Sequence, residues 1–108
     1  MNKYIKTDIE QAITLLKIAI NNALSDLETG KEEEIRFDCD IPLSLIIHCA
    51  NDRGWKDDPY NNWNNWTNGW EVNYSYRMVN PNIRDKYLVI GGSLLCGNNT
   101  YIYLDSYL

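Results

Sequence analysis

Ser44, His48 and Asp52 stand at i, i+4 and i+8, and His48 is the one histidine among 108 residues. A hydroxyl, an imidazole and a carboxylate are the groups of a nucleophilic hydrolase. Their spacing argues against that chemistry. Residues four apart on a helix stand side by side along one row, and the row supplies neither an oxyanion donor nor a pocket. It reads as a solvated polar face with a His48–Asp52 contact. A thiol–imidazole pair is the other arrangement to weigh. Cys49 adjoins His48 and so points about 100° away from it on a helix. Cys39 belongs to a separate element, and sequence alone does not fix its distance. A small hydrolase using His48 with Cys39 or Ser44 is kept as an alternative, and no catalytic residue is assigned.

Metal chemistry fares no better. Asp57, Asp58 and the asparagines up to Asn68 carry hard oxygen donors, but their spacing is not that of a calcium loop. The three cysteines, Cys39, Cys49 and Cys96, form no CxxC pair and are odd in number. They read as buried free thiols rather than a zinc knuckle or a disulfide framework. No metal or other cofactor is expected.

The residues best suited to recognition are aromatic and acidic. Trp63, Trp66 and Trp70 fall at i, i+3 and i+7 in an asparagine-rich stretch, with Tyr60 just before them. That is helical spacing. A short turn opened by Asp57 or Asp58 before Pro59 and ended by Gly69 would put the three indoles on one face. They can anchor a loop to a sheet, make an interface hot spot, or stack on sugar rings beside asparagine amides. Between Asp26 and Asp40 lie seven acids, Asp26, Glu28, Glu32, Glu33, Glu34, Asp38 and Asp40, against Lys31 and Arg36. This stretch accounts for the whole net charge of −5. A solvated turn is the plain interpretation, and an acidic patch steering a basic protein the sharper one. Without a basic stripe, direct nucleic-acid binding is not expected.

The elements that must position these groups are legible in part. Thr7-Asp8-Ile9-Glu10 reads as a capping box that opens a helix running to about Glu28, with Gly30 as its left-handed stop. Ile9, Ile13, Leu16, Ile20, Ala23, Leu24 and Leu27 form its core stripe. Leu15 and Ile18 fall off that stripe. Cover by the same chain is expected there, with a homodimer contact through Leu15 and Ile18 as the alternative. Glu34–Asp40 alternates as a half-wet strand. Asp40 then caps a second helix, with Pro42 in its first turn and Leu43, Ile46, Ile47 and Ala50 on its buried side. Gly54 ends it, and Trp55 folds back on Ala50.

From Trp70 the period is two. Trp70, Val72, Tyr74, Tyr76 and Met78 share one face, and Asn80-Pro-Asn82 breaks the run. Tyr87–Ile90 starts another strand, in which Gly91-Gly92 implies a bulge or a close backbone approach. The strand continues through Ser93–Cys96, Gly97-Asn98-Asn99 turns, and Thr100–Leu104 returns with two apolar faces, as suits a strand inside the sheet.

The expected architecture is one α+β domain over residues 1–108. It has two layers, about four mostly antiparallel strands and two helices on one face, in the order α-β-α-loop-β-β-β. No signal peptide and no membrane span is expected, and reduced thiols suit the cytoplasm. The expected function is a small acidic non-enzymatic protein-binding module. An inhibitor or immunity-type protein of bacterial or phage origin, occluding a basic partner, has this character. Its contact residues would be Trp63, Trp66, Trp70, Tyr60, Glu32, Glu33, Glu34 and Asp38. A small-ligand or glycan binder using the Trp/Asn-rich loop is a second alternative.

Overall fold

The structure, a computed structural model, describes residues 2–37, 41–60, 62–68, 71–93 and 100–107. Among the described residues run two helices and six strands: α1 (Asn2–Glu28), β1 (Glu34–Arg36), α2 (Leu43–Asp52), β2 (Lys56–Asp57), β3 (Trp63–Asn68), β4 (Glu71–Asn80), β5 (Ile83–Ser93) and β6 (Tyr101–Ser106). The class is α+β and every strand pair is antiparallel. Six strands replace the four expected, because the segment between α2 and β4 is itself extended and supplies β2 and β3. The strands run β1–β6–β5–β4, and β2 and β3 pair with the outer side of β4. The last strand, β6, lies inside the sheet between β1 and β5.

Alternation along the strands sorts the sheet into two faces. Met78 stands opposite Leu88, Leu88 opposite Leu104, Ile90 opposite Ile102, and Ile102 opposite Ile35. Met78, Leu88, Ile90 and Ile102 are fully buried, in one cluster with Ile20, Leu24 and Leu27 of α1 and Ile46, Cys49 and Ala50 of α2. Trp55 joins that cluster and is wholly buried. The turn that places it is the one its sequence announces. Gly54 takes φ +94°, its N–H donates to the Asn51 carbonyl, and the Trp55 N–H donates to the Ala50 carbonyl at 3.0 Å. These two bonds are the Schellman pattern.

Several boundaries differ from expectation. The capping box does not cap, because α1 starts at Asn2 and runs through Thr7. Residues 2–6 contain no Pro or Gly to stop a helix from continuing backwards. Gly30 has φ +77° just beyond the helix end. Ile20, Ala23, Leu24 and Leu27 are buried and Leu16 packs against the core, but Ile13 is exposed. Leu15 and Ile18 are exposed too, so the chain does not cover them. Ile13 lies N-terminal to Leu16, the first described residue of α1 that packs on the core, and helical periodicity cannot show where packing starts; Leu15 and Ile18 lie off the buried stripe. Pro42, expected in the first turn of α2, stands at its N-cap with ψ 127°, and Leu45 and Ile46 donate to its carbonyl. Asp40, the expected cap, lies outside the described residues. So do Cys39, Cys96 and the turn at residues 97–99.

The glycine pair carries no bulge. Gly91 and Gly92 stand in register with Ser75 and Tyr74, and the register shift falls between Met78 and Asn80. The close approach is real but is made by a ring. A Cβ on Gly91 would come within 2.3 Å of the Tyr101 ring. At the β4–β5 turn the Asn82 N–H donates to Asn80 Oδ1 at 3.0 Å.

Candidate functional site

The aromatic stretch is not helical. β3 pairs with β4 from Trp63↔Tyr76 to Asn68↔Glu71. On a strand, residues three apart point to opposite faces. Trp63 shares the core face with Tyr74 and Tyr76, while Trp66 stands opposite Asn73 on the other face. The helical spacing misled because so few tryptophans do not fix a period, and a strand can carry one on each face. The local signal that favours extension is composition. Asparagine is a poor helix former, and tryptophan and threonine fit strands.

Trp63 lies flat on Tyr74, with ring centroids 5.5 Å apart and planes 9° off parallel, and meets Tyr76 edge-on at 6.3 Å. It therefore anchors β3 and still shows 45% of its surface to solvent; Trp66 shows 42%. Tyr60 is almost wholly exposed. Trp70 lies outside the described residues. The fourth tryptophan, Trp55, is core. Two indoles on opposite faces make no joint stacking platform, which weakens the sugar-binding alternative.

The acids gather at the other edge of the sheet. A groove of about 450 Å³ runs between α1 and β1, lined by Asp26, Glu32 and Glu34 with Ala23, Ile35 and Phe37 among its apolar parts. Glu34 takes Arg36 at 3.4 Å, an exposed and weak pair. Arg36 also sits 5.3 Å over the Tyr101 ring. Glu33, between two of the acids in sequence, is exposed. Asp38 lies outside the described residues. Four inter-strand steps separate β1 from β3, about 19 Å at ~4.8 Å each. The described acidic and aromatic residues among the expected contacts thus lie on two separate margins.

Glu28 does not belong with the exposed acids. It accepts from Arg53 Nε at 2.9 Å and Nη2 at 2.5 Å, and from Trp55 Nε1 at 2.8 Å. The bond to Glu28, more than any other influence, raises the Arg53 guanidinium further above its usual range. Asn80 Nδ2 donates to the Arg53 carbonyl at 3.2 Å. The ends of α1, α2 and β4 meet here. Sequence reasoning missed this junction, whose only trace is an arginine and a tryptophan flanking the stop glycine.

The helix row behaves as its spacing suggested. His48 Nε2 is 3.7 Å from Asp52 Oδ2, and both side chains are well exposed. Cys49 is buried and free, and burial pushes its thiol up. That is the opposite of an activated nucleophile. Among the described residues no cluster of His, Cys, Asp and Glu could hold a metal, and no helix is long and apolar enough to cross a membrane.

The face of the sheet away from the helices is aromatic and wired by hydroxyls. Arg77 lies 4.0 Å over the Tyr87 ring and donates to its hydroxyl, which donates onward to Asp105 at 3.0 Å. Tyr101 and Tyr103 stack at 6.0 Å. Burial, first of all, raises the pKa of Tyr87 and Tyr103. Tyr76, on the core face, is pushed up to about 12 by burial and by its hydrogen bond to Asp57. No protein-family model, characterised protein or solved structure matches the chain.

Proposed function

We propose that this chain is a small acidic non-enzymatic protein-binding module, of inhibitor or immunity type and of bacterial or phage origin, which occludes a basic protein partner. The observation that carries the reading is the acidic margin. Asp26, Glu32 and Glu34 line a groove together with Arg36 and the apolar Ile35 and Phe37, and Glu33, between two of the acids in sequence, is exposed. Apolar and charged side chains together are the parts of a protein interface. Opposite charge speeds encounter and selects basic surface. Trp63, Trp66 and Tyr60 offer aromatic contact on the opposite margin. The buried free thiol of Cys49 suits action in the cytoplasm.

The test is capture of a basic partner and measurement of its affinity at low and high salt. The Glu32→Gln, Glu33→Gln, Glu34→Gln triple variant is measured alongside. Affinity that falls with salt, and that loses this dependence in the variant, supports the reading. A captured partner whose association ignores both salt and the three substitutions removes it.

A further inference from the structure

Among the described residues β3 is an edge strand, and its own sequence carries none of the usual defences of one. Natural edges are blunted by charge, proline, bulges or shortness, because open N–H and C=O groups invite another strand. Trp63-Asn-Asn-Trp-Thr-Asn68 has no charged residue and no proline, and it pairs in unbroken register over its full six residues. Asn64, Asn65 and Thr67 are exposed alongside the two half-covered indoles.

The ladder fixes which backbone groups are open. In an antiparallel pair, hydrogen-bonded and non-bonded residue pairs alternate. The Arg77 N–H donates to the Asn62 carbonyl at 2.8 Å. The next bonded pairs are therefore Asn64 with Ser75 and Trp66 with Asn73. Trp63, Asn65 and Thr67 consequently turn their N–H and C=O groups away from β4, toward solvent. Asn65 is the midpoint of these three.

We propose that β3 pairs antiparallel with β3 of a second copy of this chain, about a two-fold axis at Asn65. Asn65 then faces its own counterpart, and Trp63 faces the second copy's Thr67 on either side. All three are bonded pairs, so every open backbone group on the strand finds its complement. On the same face as Trp63, the two Asn65 amides meet at the axis, where each can donate to the other. On the opposite face Trp66 lies beside the second copy's Asn64. The two sheets become one continuous sheet, and the interface is isologous, as a two-fold requires.

Charge selects the occupant. Two chains of net charge −5 repel unless they meet where charge is absent. β3 is such a place, and the axis puts the two acidic margins at the far ends of the joined sheet. Nine inter-strand steps separate them, about 43 Å, several screening lengths in physiological salt. The contact is independent of the acidic groove and goes beyond the binding role proposed for it. Its consequence for that role is a dimer with a groove at each end, able to hold two partners or one partner of matching symmetry.

Sedimentation equilibrium over a concentration series tests the pairing, with hydrogen exchange to locate it. Wild type is expected to approach twice the 12.6 kDa of one chain. The amides of Trp63, Asn65 and Thr67 are expected to gain protection with concentration, while those of Asn64 and Trp66 are protected throughout. Asn65→Lys sets like charges together at the axis, and Asn65→Pro removes the central donor. Both are expected to return the mass to one chain, and an unchanged circular dichroism spectrum for Asn65→Lys shows that the fold is kept. A wild type that stays monomeric overturns the proposal, whether the edge then accepts an extended peptide or nothing. So does a dimer whose three amides exchange freely, or one abolished by Leu15→Glu with Ile18→Glu and untouched by Asn65→Lys. Binding of a basic partner through Glu32–Glu34 is read separately and survives either outcome.

Discussion

The two margins of the sheet are built on opposite plans. β1 is three residues long, and charged Glu34 and Arg36 flank its single apolar residue. It is nonetheless tied into the core. Ile35 and Phe37 pack against the buried cluster, and α1 lies across the groove beside it. The Phe37 N–H donates to the Thr100 carbonyl, while the buried Thr100 hydroxyl accepts from the Ile41 N–H at 3.1 Å. β3 is twice as long, uncharged, and among the described residues bonded to β4 alone. One margin is defended and load-coupled to the fold; the other is undefended and hangs on one neighbour. Edge length is thus a poor guide to an edge's part in stability, and the partners behind the strand decide it.

Substitutions at the helix–sheet junction and behind the β1 margin should cost the whole fold, and those on the β3 strand itself should leave it standing. Glu28→Ala is expected to be the most damaging. It strands a half-buried guanidinium and the buried Trp55 N–H, at roughly 2 to 3 kcal/mol in a urea melt. The figure lies at the low end for a broken buried pair because Arg53 keeps some contact with water. Gly91→Ala comes next, at about 1 to 3 kcal/mol. The new methyl displaces the Tyr101 ring, and with it the Tyr103 stack and the Arg36 contact. Trp63→Ala on the other margin should cost about 1 kcal/mol, the worth of its stack on Tyr74. Trp66→Ala should stay within about 0.5 kcal/mol in the monomer. If Trp66→Ala destabilises as much as Gly91→Ala, the contrast between the margins collapses.

The smallest effect at neutral pH, visible only in alkali, is the titration of Tyr76, which bonds Asp57 of β2 on the aromatic margin. Its folded pKa of about 12 exceeds the ordinary 10, so the folded state holds its proton more tightly. The stability this confers is complete below pH 10 and is lost as pH rises from 10 toward 12. An ultraviolet titration should show Tyr76 ionising late, together with the raised Tyr87 and Tyr103. Tyr76→Phe should remove one of the late steps.

Much of the fold is legible in the sequence where one residue pattern admits one period. Tyr74, Tyr76 and Met78 alternate and do share a face, and Ile20, Leu24 and Leu27 do form a helical stripe that is buried. Gly54-Trp55 makes the expected turn. Legibility fails where too few residues fix a period, as for Trp63 and Trp66, and where a helix outruns its support, as at Ile13. It fails again for strand order. That β1 and β3 end up on opposite margins depends on pairings between distant segments, which no local window contains. The acids were visible as a cluster because charge is additive along the chain. Their distance from the tryptophans is not visible there, nor is the pairing of Glu28, whose partner lies 25 residues away.

The junction of Glu28, Arg53, Trp55 and Asn80 also bears on the order in which the molecule assembles. The β4–β5 hairpin closes over a short turn and can form early, as local contacts do. The junction joins three segments, with 25 residues separating Glu28 from Arg53 and 27 separating Arg53 from Asn80. Its bonds require the α2 end turn already made and both α1 and the hairpin docked against it. Such a contact is expected to form after the folding barrier rather than before it. Weakening it conservatively, as in Glu28→Gln, is expected to quicken unfolding and leave the refolding rate nearly unchanged. The junction would then act as a latch, setting how long the native state lasts more than how fast it is reached.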